Sequence, residues 1–267
     1  MPHLAADPPP FRVLAAAVGR DATERLPLLL CCDHASRAVP PRYGDLGLGP
    51  ADLARHIAWD IGAAALTMKL SAALGVAAVL SGVSRLIVDC NRDPADPTAI
   101  PEISDGTLIP GNRDLAAGEI AARIARYHTP YHHEIRARLD KIAARAAAPT
   151  LIAVHSFTPA LAEDGRARPW HVGVLWDRDP RLAAPLLDLF RAEAGLVVGD
   201  NEPYSAKGNS GYTLRRHGAA NGFPHVLIEI RQDLIATPAG VAQWSARLAG
   251  VFARLFAIAG PFGRQRF

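Results

Sequence analysis

The feature that most restricts this chain is an alternation. Short apolar runs at 26–32, 76–80, 86–90, 150–154, 172–176, 196–199 and 225–230 are separated by longer stretches whose apolar residues recur at helical spacing. Runs so short and so continuously apolar read as strands buried on both faces, and only helices on both sides of a sheet bury them that way. The helical stretches are 49–74, 115–148 with a break at Pro130, 183–194, and 238 to about 259. In the first of them Leu53, Ile57, Ile61, Ala64, Met68 and Leu74 lie near one stripe, and Gly75 supplies the stop. The order predicts an α/β fold with a mostly parallel or mixed central sheet and helices on both faces. With 267 residues, no internal repeat and no linker, the expectation is one domain over 1–267, its Pro-rich first 20 residues loosely ordered.

Composition narrows the function classes. Hydrophobic residues are 49% and charged residues 21%, which suits a packed core and not a disordered or fibrous chain. The net charge of +3 comes from 29 basic against 26 acidic residues, with the arginines scattered rather than gathered in a patch. There is no Walker pattern, no glycine-rich strand-to-helix turn and no basic aromatic platform, so nucleotides and nucleic acids are poor partners. No apolar run approaches the roughly 18 to 20 residues that span a bilayer, and the first ten residues lack the basic and apolar regions of a secretory leader. Cys31, Cys32 and Cys90 form no C-x-x-C pair and read as inert core thiols of a reducing compartment. The expectation is a cytoplasmic protein acting on a small molecule, with no membrane partner.

Open α/β sheets bind ligands beyond the carboxyl ends of their strands. The residues found there are Asp33 and His34 after the first run, Asn91 and Arg92 after 86–90, and His155 after 150–154, with Glu229 inside the last run. Two imidazoles, a carboxylate and a guanidinium on separate strands are the parts of a hydrolytic metal site. Zinc takes neutral imidazole and carboxylate ligands, keeps one position open, and lowers the pKa of water there. Glu229 lies among Leu227, Ile228 and Ile230, and its desolvation raises its pKa towards neutrality, as a general base requires. Arg92, fixed behind Asn91, presents a planar fork suited to a carboxylate. The Pro-, Gly- and Asp-rich stretch 93–112 is too long for a plain connection and is a candidate site loop. His128, His132 and His133 resemble a metal cluster only superficially. Of them, just His128 and His132 share a helix face, so they read as packing or capping residues.

Several segments together carry a resemblance: Cys32-Asp33-His34-Ala35-Ser36, the stretch Ser84-Arg85-Leu86-Ile87-Val88-Asp89-Cys90-Asn91-Arg92-Asp93-Pro94, Pro130-Tyr131-His132, His155-Ser156-Phe157, Asn201-Glu202-Pro203-Tyr204 and Glu229-Ile230-Arg231. They resemble the N-formylglutamate amidohydrolase family over about residues 26–235. More distantly, Asn91-Arg92, His155-Ser156-Phe157 and Glu229-Ile230-Arg231 are similar, in the same chain order, to motifs of zinc carboxypeptidases. The resemblance implies a zinc-exopeptidase-like fold holding zinc or another divalent metal through His34 and His155. It makes Glu229 the base, assigns Arg85 to the developing oxyanion or to the substrate carboxylate, and places Asn91, Arg92 and Arg231 on the substrate. Tyr204 and His217, in the loop before the last strand, are candidates for the pocket wall. The implied substrate is an N-formyl amino acid such as N-formyl-L-glutamate, cut to formate and the free amino acid.

One departure matters. The carboxypeptidase pattern has His followed three positions later by Glu, whereas His34 is followed by Ala35, Ser36 and Arg37. The expected replacement ligand is Asp60, on the helix after the first strand, with Asp33 and His56 as alternatives; His56 precedes Asp60 by one helical turn. The rival readings are a carboxypeptidase or amidase acting on another N-acyl amino acid or a cell-wall peptide, and a non-catalytic binding protein.

Overall fold

The computed structural model describes residues 6–16, 26–146, 148–161, 165–207, 211–260 and 262–267. Its strands are β1 (Phe11–Leu14), β2 (Leu28–Cys32), β3 (Ala77–Ser81), the short β4 (Ile103–Ser104) and β5 (Thr107–Leu108), β6 (Thr150–Phe157), β7 (Val172–Leu175), β8 (Val198–Asp200) and β9 (His225–Arg231). All but β4 and β5 join one mixed sheet in the order β1-β3-β2-β6-β9-β7-β8. The centre, β3-β2-β6-β9, is parallel; β1 runs antiparallel to β3, and β7 antiparallel to β9. β4 and β5 form a separate hairpin within the Pro- and Gly-rich stretch.

Side chains alternate between two cores, as the pleat requires. Leu30, Cys32, Ile152, Val154, Ile228 and Ile230 face helices α2 (Ala63–Leu74), α5 (Pro180–Arg191) and α6 (Pro238–Ala259). Leu29, Cys31, Leu151, Ala153 and Leu227 face the opposite way, towards Tyr131, Ile135 and Leu139 of α4 (Thr129–Ala143). Continuing that second register by two residues on each strand gives Asp33, His155 and Glu229. The sheet therefore delivers these polar groups on the α4 side, at the carboxyl ends of its central strands.

Several local expectations are corrected. The segment 49–74 is not helical throughout: α1 (Pro50–Ala54) and α2 are separated by a non-helical stretch, and Asp60 lies in it rather than on a helix. Gly62 enforces the new start. Its φ is +81°, and a Cβ there would come within 2.2 Å of the Ile235 carbonyl oxygen. The backbone N–H of Asp60 donates to the His34 carbonyl at 3.0 Å, which ties the two candidate ligands together. The run 86–90 forms no strand. Ile87 closes a turn onto the Ser84 carbonyl, and Leu86, Ile87 and Val88 bury among Leu46, Ala58, Ile109 and Tyr127 in a third core beyond the sheet end. A short apolar run signals burial, and burial was achieved here without a ladder.

Elsewhere, β6 continues past His155 to Phe157. The long helix is α3 (Ala117–Arg123) followed by a π-helical turn at Ile124–His128 that leads into α4. Within the segment expected to be loose, Phe11–Leu14 forms the edge strand β1; residues 1–5 and 17–20 of that segment lie outside the described ones. Among the described residues, no helix is long and apolar enough to cross a membrane.

Candidate metal centre and active site

A cavity of about 330 Å³ opens at the carboxyl ends of β2, β6 and β9, and His34, Asp60, Arg85, Asn91, Arg92, His155, Tyr204 and Glu229 all line it. At the lower limit for ligand sites, this volume suits a small substrate. His34, Asp60 and His155, all buried, offer ligand atoms that lie within 4.8 Å of one another. The Nδ1 atoms of His34 and His155 stand 3.4 Å and 2.8 Å from Asp60 Oδ2.

The opposite edge of each imidazole is held by another carboxylate. His34 Nε2 donates to Asp89 Oδ1 at 2.7 Å, and His155 Nε2 donates to Asp33 Oδ2 at 2.9 Å. A carboxylate at Nε2 keeps the proton there and leaves the Nδ1 lone pair for a metal, the usual second-layer arrangement of metal-binding histidines. Asp33 is itself fixed by the hydroxyls of Tyr131, at 2.8 Å, and Thr213, at 2.7 Å. Asp89 is paired with Arg85 at 2.8 Å, and the same guanidinium lies 3.6 Å from Asp60 Oδ1.

These residues fit a divalent cation. His34 Nδ1, Asp60 Oδ1 and Glu229 Oε2 are buried polar atoms without a hydrogen-bond partner, and such atoms are costly unless something satisfies them. Charge agrees. Asp33, Asp60 and Asp89 are buried carboxylates and the Arg85 guanidinium reaches the last two of them, so with neutral imidazoles these four groups carry an excess of negative charge that a divalent ion would cancel. Burial disfavours the imidazolium of His155, but the hydrogen bonds and charges of Asp33 and Asp60 outweigh it and hold the ring well above the usual imidazole range.

Glu229 sits directly across the ladder from His155. Burial pushes its carboxyl up to about 7, an effect that His155 offsets in part. Asn91 lines the cavity, and its Oδ1 accepts the Thr213 backbone N–H at 3.2 Å, which makes the other amide atom, the NH₂, a donor. Tyr204 forms a wall, and its hydroxyl takes a hydrogen bond from Arg168 at 2.9 Å.

The sequence of this chain matches the model of the N-formylglutamate amidohydrolase family over residues 26–236. The chain belongs to that family. Two solved structures are similar over nearly all of it. One is a gene product of Agrobacterium tumefaciens, 35% identical, with a TM-score of 0.84 over 92% of this chain and 94% of the other. The second is an N-formylglutamate amidohydrolase from Ralstonia eutropha JMP134, 23% identical, with a TM-score of 0.68 over 94% of this chain and 98% of the other. No curated protein sequence matches.

Within this amidohydrolase frame, two expected site residues are elsewhere. Arg231 binds Asp233 and the carbonyl oxygens of Pro169 and Trp170, and it is absent from the cavity lining. It shares a strand face with Glu229, but it is the last residue of β9 and reaches past the cavity. His217 does not line the cavity either; its Nε2 lies 2.9 Å from His132 Nδ1 in a buried histidine stack. Of the alternatives to Asp60, Asp33 stands behind His155, while His56 lines the cavity with its Nδ1 3.7 Å from Asp60 Oδ1 and its pKa pushed down to about 4 by burial. Sequence reasoning gave no role to Asp89, Tyr131 or Thr213. The first two lie inside the quoted motifs, which was the available signal; Thr213 carried none.

Proposed function

We propose that the chain is a divalent-metal-dependent hydrolase of N-formyl amino acids, N-formyl-L-glutamate foremost, releasing formate and the free amino acid. The observation that carries this reading is the convergence of partnerless atoms from His34, Asp60 and Glu229 on one small cavity. His34 Nδ1, His155 Nδ1 and Asp60 would hold the ion, zinc by the chemistry of this donor set. Bound there, it would supply Lewis acidity, lowering the pKa of water and polarising the formyl carbonyl.

The protein's own groups do the rest. Glu229, a base with its pKa near neutrality, takes the proton of the attacking water and returns it to the amide nitrogen as the C–N bond breaks. Arg85, held by Asp89 on one edge, faces the cavity with the charge that a developing oxyanion needs. Asn91 and Arg92 fix the α-carboxylate and so orient the scissile bond. The cavity volume favours a formyl amino acid over the longer peptide of a carboxypeptidase.

Purified protein is expected to carry about one divalent ion per chain and to release formate from N-formyl-L-glutamate. A chelator should abolish that release and added zinc should restore it. Full activity in metal-free protein would refute the proposal, and a metal-free chain inert to every N-formyl amino acid would favour the binding-protein reading. Asp33→Asn keeps the shape behind His155 but weakens the orienting hydrogen bond, so metal affinity measured by chelator competition should fall roughly 10- to 100-fold. Arg92→Ala removes a charge-assisted contact and should cut kcat/KM on carboxylate-bearing substrates roughly tenfold or more. An equal loss on an N-formyl amine without a carboxylate would contradict that role.

A further inference from the structure

The segment Cys90-Asn91-Arg92 has no strand to belong to, so its backbone must find partners elsewhere. It finds one for each carbonyl. His132 Nε2 donates to the Cys90 oxygen at 2.8 Å, the Tyr212 backbone N–H to the Asn91 oxygen at 3.2 Å, and His128 Nε2 to the Arg92 oxygen at 3.0 Å. On the amide side, Asn91 N–H binds Asp89 Oδ1 at 2.8 Å, and Arg92 N–H binds the Asp89 carbonyl at 3.1 Å.

His128 and His132 stand one helical turn apart on the face of the π-turn and α4 that meets this segment. Each must be a donor at Nε2, because its partner is a carbonyl. His132 is therefore an acceptor at Nδ1 when neutral, and His217 Nε2, at 2.9 Å, supplies the proton. Tyr212 packs edge-on to His132 at 5.0 Å between ring centroids, and both histidines are buried. The arrangement leaves the Asn91–Arg92 arch little freedom to shift relative to Arg85 and Glu229.

The geometry points to His128 and His132 as positioning residues for substrate: through the carbonyls of Cys90 and Arg92 they set where Asn91 and Arg92 hold the carboxylate. This rests on the reading of Asn91 and Arg92 as the carboxylate clamp. Neither histidine lines the cavity, so neither touches substrate. A role in packing alone would lower stability and every activity together, whereas positioning of the clamp acts on carboxylate binding.

The test compares His132→Leu, which lacks the donor, with His132→Gln, whose side-chain amide supplies one near the Nε2 position. Expected for the metal-loaded His132→Leu is a KM for N-formyl-L-glutamate raised roughly tenfold with kcat within about threefold of wild type, since small misplacements of a clamp carry large costs. His132→Gln should restore KM, and kcat/KM on an N-formyl amine lacking a carboxylate should be unchanged in both variants. Calorimetric titration with L-glutamate, a ligand that needs no turnover, should show the same weakening and rescue. If His132→Leu does not fold, His128→Leu and His128→Gln carry the same comparison at the Arg92 carbonyl.

An unaltered KM and L-glutamate affinity in a folded Leu variant, or an equal loss on the carboxylate-free amine, would overturn the inference. So would failure of Gln to rescue, or a wild-type protein that binds no carboxylate. Wild type that binds L-glutamate but releases no formate would sink the hydrolase proposal instead, leaving the variant titrations to decide this one.

Discussion

Glu229→Gln is expected to retain the metal and lose at least about two orders of magnitude in turnover, the scale on which a positioned general base contributes. The substitution preserves volume and removes only the ability to take a proton, so metal content and melting temperature serve as controls. The same residue predicts the pH profile. Burial raises the Glu229 pKa to about 7, and the base acts only when ionised. kcat/KM should therefore rise with pH through the neutral range, falling on the acid side as Glu229 takes up a proton. Turnover near the wild-type level in Glu229→Gln would remove this carboxylate from the chemistry.

His155→Ala should do more damage to the folded state. The imidazole lies between Asp33, at 2.9 Å, and Asp60, at 2.8 Å, and deleting it leaves both carboxylates buried without their shared partner. Breaking a buried charged arrangement in this way costs about 3–5 kcal/mol. In a chain of this size that corresponds to a drop of roughly 10 °C in Tm. The variant should also fail to retain metal at stoichiometry under conditions where Glu229→Gln does. A His155→Ala protein with unchanged Tm and full metal content would place the metal site elsewhere.

Much of this was legible in the residues. The last helix runs from Pro238 to Ala259 as its apolar stripe requires, and β2, β6 and β9 follow the runs that predicted them. His34, His155 and Glu229 stood out because each is a polar group placed at or near the end of an apolar strand, where burial is expensive without a purpose. What could not be read depended on partners distant in sequence. The run 86–90 has a strand's composition, yet Asp89 had to turn inward to reach both His34 and Arg85, and its N–H goes to Ala99. Asp60 was expected on a helix, but helical backbone there would not free its N–H for the His34 carbonyl. Arg231 satisfies the two-residue period of a strand and still misses the cavity, because periodicity fixes a face but not where along that face a pocket ends.

The pairing of His155 with Glu229 on adjacent parallel strands carries a last consequence. Neighbouring strands lie about 4.8 Å apart, a spacing dictated by main-chain hydrogen bonding and indifferent to which amino acids occupy it. The interval between Glu229 and His155 is thus inherited from the ladder, so exchange of surrounding residues can remodel what the enzyme accepts without retuning that interval. Displacing β9 by a single step would instead turn the carboxylate to the opposite side of the sheet, and no neighbouring substitution would bring it back.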